Sequence, residues 1–220
     1  MAEGVYKSNL ETETEMSEKL VLIDGHSILN RAFYGIPMLT NHEGIHTNAI
    51  YGFINIMLRA MEDEKSDHIA VAFDLKAPTF RHKMYEMYKG TRKPMPAELH
   101  EQVPVIKEIL ASMNIPVITL EGYEADDILG TVGKKAQSLG YNVVILSGDR
   151  DLLQLADEHI KIRLPKTIKG RTEIENYYPE DVMEKYMATP SEFIDLKALM
   201  GDSSDNIPGV PGCLLYTSDA

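Results

Sequence analysis

Four short runs of β-branched and aliphatic residues, at 20–23, 69–73, 117–120 and 143–146, recur along the chain. Longer stretches with a helical period separate them. Ile50, Phe53, Ile54, Met57, Leu58 and Met61 share one helical face, as do Ile128, Leu129, Val132, Ala136 and Leu139. Short apolar runs alternating with amphipathic helices predict an α/β fold in which helices flank a mostly parallel central sheet. Pro116 and Gly140 punctuate two of the joins. Further helices are expected at 179–187 and 190–200, where Pro179 and Pro190 suit a first turn.

The 220 residues, 44% hydrophobic and 25% charged, suffice for one well-packed domain with part of a second. A lone Cys213 permits neither an internal disulfide nor a cysteine zinc site, which points to a cytoplasmic protein. No apolar run approaches the ~18 residues of a membrane span, and no basic-then-apolar leader opens the chain. Residues 1–15 carry Glu3, Glu11, Glu13 and Glu15 against Lys7 and are expected to be a disordered leader, with Met16 the natural start. The net charge of −12 by itself argues against a polyanionic partner.

The residues at the ends of the apolar runs are more informative. The first run ends on Asp24, the second on Asp74, and the last passes through Ser147 and Gly148 into Asp149 and Asp151. Parallel α/β sheets bind ligands beyond the carboxyl ends of their strands, so these runs deliver four carboxylates to one edge. Glu124, Asp126 and Asp127 stand at the start of a helix, and Asp202 and Asp205 in a loop. Each piece has an ordinary explanation as a turn, a helix cap or a solvated loop. Convergence of all of them does not, because two carboxylates 4 Å apart repel by ~4 kcal/mol at an effective dielectric near 20. Divalent cations are the natural compensation. All-oxygen donors suit Mg²⁺ or Mn²⁺, and a pair of such ions serves phosphoryl chemistry.

Competing motifs fail on context. His42, Glu43 and His46 match the H-E-x-x-H zinc pattern, but Gly44 interrupts it and the helical period begins only near Asn48. No phosphate-binding P-loop or dinucleotide fingerprint is present. Ser27 and Ser147 lack the strand-to-helix elbow of a nucleophile.

Between 81 and 93 the sign of the charge reverses. Arg81, Lys83, Lys89, Arg92 and Lys93 face Glu86 alone, a net +4, with Tyr85 and Tyr88 interleaved. Cations hold phosphates and aromatic rings stack on bases, which is the pairing expected of a nucleic-acid contact.

Taken in order, the motifs resemble the 5′ nuclease (flap endonuclease) family, and within it the N-terminal 5′→3′ exonuclease domains of bacterial DNA polymerase I. The resemblance rests on L-V-L-I-D-G-H-S-I-L-N-R-A-F-Y at 20–34, A-F-D-L-K-A-P-T-F-R at 72–81 and Y-K-G-T-R at 88–92. It continues in G-Y-E-A-D-D at 122–127, L-S-G-D-R-D-L-L-Q-L at 146–155 and M-G-D-S-S-D-N-I-P-G-V-P-G at 200–212.

The resemblance implies a PIN-like core over 16–187 that includes a helical arch at about 78–102. Residues 188–212 would begin a duplex-binding helix–three-turn–helix element. It implies two Mg²⁺ or Mn²⁺ ions, the first held by Asp24, Asp74, Glu124 and Asp126. Asp149, Asp151 and Asp205 would hold the second, with Asp127 and Asp202 shared or in the outer shell. Asp126 and Asp149 would be essential to the chemistry, with Lys89 and Arg92 offsetting charge on the phosphate. Arg81, Tyr88, Lys89 and Arg92 would contact substrate, as would the backbone turn marked by Asn206, Gly209 and Gly212, around a potassium ion. The expected partner is DNA bearing a 5′ flap, a nick or an RNA primer, met in replication and repair. The expected chain is a monomer, with a polymerase domain in the same full-length protein. Residues 213–220 depart from the family pattern and read as a truncated or mis-joined tail. A DNA-junction binding module without turnover and a PIN-like ribonuclease are the alternatives.

Overall fold

The computed structural model describes residues 17–168 and 171–213. The expected leader at 1–15, and residues 214–220 of the tail, lie outside these residues.

Strand β1 (Lys19–Asp24) occupies the middle of a six-stranded sheet. On one side it pairs in parallel with β2 (His68–Ala72), which pairs in parallel with β3 (Val117–Ile118). On the other side lie β4 (Asn142–Leu146) and β5 (Ile160–Ile168), both parallel, and then β6 (Arg171–Tyr177), antiparallel at the edge. The order β3-β2-β1-β4-β5-β6 means that the chain fills one side, returns, and fills the other. The reversal falls between β1 and β4, and the carboxyl ends of these two strands therefore flank a crevice.

Helices cover both faces. Val21 and Ile23 of β1 and Val144 and Leu146 of β4 point to one side, into a cluster with Phe53 and Met57 of α2 (Asn48–Glu64). Ile28 and Leu29 of α1 (Gly25–Gly35) and Ile106 and Leu110 of α5 (Gln102–Ser112) complete that cluster. Leu22, Val143 and Ile145 point the other way, toward Ile128 and Leu129 of α6 (Ala125–Ser138), Val182 of α7 (Pro179–Tyr186) and Phe193 of α8 (Glu192–Met200). Strands buried on both faces read as continuous apolar runs, which is why β1 and β4 stood out in the sequence.

The third run is strand only at Val117–Ile118, and Phe73 lies one residue past β2, yet fully buried. The β5–β6 hairpin was not anticipated. Ile160, Ile162 and Leu164 alternate with Lys161 and Arg163, the period-2 pattern of a strand whose second face is not apolar. That face is ionic. Glu64, at the carboxyl end of α2, accepts from Lys161 Nζ at 2.6 Å and lies 2.9 Å from Arg163 Nη1 and 3.2 Å from Lys19 Nζ. A carboxylate is unfavourable at that end of a helix dipole, and three cations offset it.

The expected helical arch is helical only at its ends, in α3 (Phe80–Met84) and α4 (Ala97–His100). Turns occupy the centre, with Lys89 at φ +55°. Gly90, Pro94 and Pro96 account for the break, since proline lacks the helical donor and clashes with the preceding turn.

Candidate functional site

Asp24 and Asp149 are helix caps as well as strand-end acids, and the capping aims them. Asp24 closes β1 and caps α1, its Oδ1 accepting from Ser27 N at 3.0 Å. Its Oδ2 accepts from Ser147 Oγ at 2.7 Å. Asp149 caps the 3₁₀ helix Arg150–Leu155, accepting from Asp151 N at 2.8 Å. Glu124 precedes α6, and its own N–H donates to Asp127 at 2.9 Å. Asp74 reaches the same helix end, accepting from Ala125 N at 2.6 Å. The ordinary reading of these acids and the functional one describe the same geometry.

The caps converge on one cavity of about 670 Å³. Asp24, Asp74, Glu124, Asp126, Asp127, Asp149, Asp151 and Asp205 line it, with Arg81, Tyr88, Lys89 and Arg92. Asp202 does not line it but is tied to it. Lys197 Nζ lies 2.9 Å from Asp151 and 3.3 Å from Asp202. Among the described residues no three of these acids already enclose a single point as a coordination sphere would. Several are drawn back onto neighbouring cations instead.

The electrostatics divide the acids. Burial, together with the charges of Asp24, Asp149 and Asp74, pushes Asp126 up to about 8. Burial pushes Asp24 up to about 6, although Ser27 and Ser147 donate to it. Asp151 is also raised by burial, against the opposing pull of Lys197. At Asp127 and Asp202 burial is outweighed, and both are held below the usual carboxylate range. Arg81 does this for Asp127 through bonds of 2.7 and 2.8 Å. Ser204, the backbone and Lys197 do it for Asp202. Asp74 is lowered too, burial being outweighed by His26 and Ala125 N. Asp126 and Asp24 are therefore the acids on which negative charge is least favourable until a cation joins them.

The basic segment lies across this mouth. Lys89 Nζ donates to Glu124 at 2.8 Å, and Arg92 pairs with Asp205. The Tyr88 hydroxyl is 2.9 Å from both Glu124 and Asp205, with its ring buried, so the aromatic face expected for stacking is turned inward. Burial and those two carboxylates raise the Tyr88 hydroxyl far above its ordinary value. Asn206 donates to Met87 O at 2.8 Å, binding the segment to the 201–212 turn. Gly209 packs its backbone on Met200, where a Cβ would lie 2.0 Å from the carbonyl oxygen, whereas Gly212 at φ +86° is open.

Sequence reasoning missed Lys197, which stands five residues before Asp202, and His26, 3.4 Å from Asp74. A cation one helical turn from an acidic loop was a usable signal; the imidazole contact was not. The H-E-x-x-H string lies in a turn, with His42 exposed and His46 paired to Glu101 at 2.5 Å.

Residues 19–187 match the family described as 5′-3′ exonuclease, N-terminal resolvase-like domain. The chain belongs to that family. It is 52% identical over 197 residues to DNA polymerase I of Bacillus caldotenax and 52% identical over 195 residues to DNA polymerase I of Bacillus subtilis. These matches cover 90% and 89% of the chain but only 22% of each relative's length. Among solved structures, T5 5′-exonuclease with divalent metal ions (zinc) bound aligns with a TM-score of 0.69 at 25% identity, over 89% of this chain and 71% of that one. The 5′-3′ exonuclease match takes in seven of the nine acids, Asp24 to Asp151. Asp202 and Asp205 lie beyond it. No described helix of this family member is long and apolar enough to cross a membrane.

Proposed function

We propose that the chain is a structure-selective 5′→3′ exonuclease and 5′-flap endonuclease that hydrolyses DNA phosphodiesters, working in the cytoplasm in primer removal and repair. The observation that carries this reading is Asp126, which meets the like charges of Asp24, Asp149 and Asp74 beside a mouth lined by Lys89 and Arg92.

The donor set fits divalent metal. It is all oxygen and crowded with like charge, and Asp126 and Asp24 are raised by burial and by their acidic neighbours. Asp24, Asp74, Glu124 and Asp126 would hold one Mg²⁺ or Mn²⁺; Asp149, Asp151 and Asp205 a second; Asp127 and Asp202 would steady the set from outside. Such ions would supply an activated water and neutralise phosphate charge.

The chain's own residues do the rest. Lys89 and Arg92, exchanging Glu124 and Asp205 for the scissile phosphate, would offset charge that grows in the transition state. Arg81, fixed on Asp127, keeps α3 at the mouth, and Tyr88 would meet the terminal nucleotide once released. The 201–212 turn, through Asn206, Gly209 and Gly212, would approach the duplex backbone and hold potassium. We propose further that the chain acts as a monomer and that a polymerase domain shares the full-length protein.

The ion pairs across the mouth favour one second reading, a junction-binding module without turnover. Incubating the chain with 5′-labelled flap duplex, with nicked duplex and with unstructured RNA in Mg²⁺ separates the cases. Cutting at the flap base with 5′-phosphate and 3′-hydroxyl ends supports the proposal. Flap binding in Ca²⁺ with no cutting in Mg²⁺ supports the binding module, and preference for RNA contradicts both.

A further inference from the structure

Ser27 and Ser147 have no part in the chemistry above, yet each joins the ends of two strands. Ser147 is fully buried at the end of β4. Its single hydroxyl proton goes to Asp24 Oδ2 at 2.7 Å, and its oxygen accepts from Asp149 N at 3.0 Å. Ser27, in the first turn of α1, answers from the other side. Its N–H donates to Asp24 Oδ1 at 3.0 Å, and its hydroxyl oxygen accepts from Gly148 N at 2.8 Å. The β1–β4 ladder runs only to Ile23 opposite Leu146, so the two hydroxyls carry the strand pairing one step further. Gly148 is required for this approach, since a Cβ there would lie 2.8 Å from Ser27 Oγ.

We propose that Ser147, seconded by Ser27, is a positioning residue that sets the Asp24 carboxylate and the Asp149 backbone for cation binding; this rests on reading those acids as metal ligands. Asp24 has each oxygen engaged by one protein donor, which prevents rotation of the carboxylate and leaves its remaining lone pairs for the cavity it lines. Through its second bond the Ser147 hydroxyl fixes the backbone of Asp149, so one atom couples an acid of β1 to an acid of β4. Partners of this kind change metal affinity by about 10–100-fold when removed.

The test is a calorimetric titration of Mn²⁺ into the whole chain, for wild type, Ser147→Ala and Asp126→Ala, with thermal unfolding in chelator as the check on folding. The proposal expects Ser147→Ala to melt cooperatively and to bind Mn²⁺ at least about tenfold more weakly. Affinity within twofold of wild type in a folded Ser147→Ala overturns it. A purely structural serine would lower the melting temperature and leave the affinity unmoved, which also overturns it. If Ser147→Ala does not fold, Ser147→Cys, which fills the site and replaces the donor with a weak one, is judged by the same criteria. Failure of the metal reading looks different. There, wild type shows no saturable Mn²⁺ binding or Asp126→Ala leaves it intact, and the proposal falls with that reading.

Discussion

Asp126 holds its place at a cost to the fold. With burial and three like charges raising it to about 8, Asp126→Asn should remove repulsion and raise stability in chelator by about 0.5–2 kcal/mol, the usual gain when a functional strain is relieved. The same change should abolish flap cleavage. Thermal melts and a cleavage assay on one preparation check both, and a destabilised variant would contradict the electrostatic account. Lys89 makes a different prediction. Lys89→Ala should slow single-turnover cleavage about 10²-fold or more, as loss of a charge-stabilising group does, while Mn²⁺ still binds. An unchanged rate would remove Lys89 from the chemistry. At this scale the seven acids from Asp24 to Asp151 were legible because they follow strand runs or begin a helix, where the chain's direction determines the side chain's destination. The bond from Lys197 to Asp151 and the cross-strand bonds of the two serines were not, because partners 46 to 123 residues away carry no local pattern.

Elements were legible in proportion to how fully they are buried. β1 and β4 are apolar on both faces and visible; β5 turns Lys161 and Arg163 toward Glu64 and passed unseen among charged residues. That ionic face carries stability. Glu64 and Arg163 are both nearly inaccessible to solvent, so Glu64→Gln, which strands the cations, should cost about 3–5 kcal/mol in urea unfolding. Burial raises Glu64 but Lys161, Arg163 and Lys19 outweigh it, and it lies below its ordinary 4.5. The folded state thus binds its proton less readily than the unfolded chain. The contribution is complete above about pH 5 and is lost as pH falls through the depressed folded value. The gap between wild type and Glu64→Gln should therefore narrow in acid; a gap that widened would contradict the assignment. Within the arch, Gly90, Pro94 and Pro96 confine helix to the two ends, α3 and α4, and forbid one continuous helix.

For the whole molecule, net charge misleads and its placement informs. Residues 1–15 carry −3 of the −12, and the nine candidate acids alone match the −9 of the remainder. What is left is formally neutral and includes the cationic segment at 81–93, so a polyanion need not be repelled once cations fill the acidic crevice. Divalent metal at 100 times its dissociation constant should stabilise the fold by about 2.7 kcal/mol, read as a rise in melting temperature from chelator to Mg²⁺. That ions drive hydrolysis at these acids is the claim on which everything else depends. Its most direct measurement is the rate at which the chain incises a 5′-labelled flap duplex in Mg²⁺, in chelator, and after Asp149→Ala. Cutting at the flap base that vanishes in chelator and in the variant is the predicted result; equal cutting with all metal removed would contradict the account.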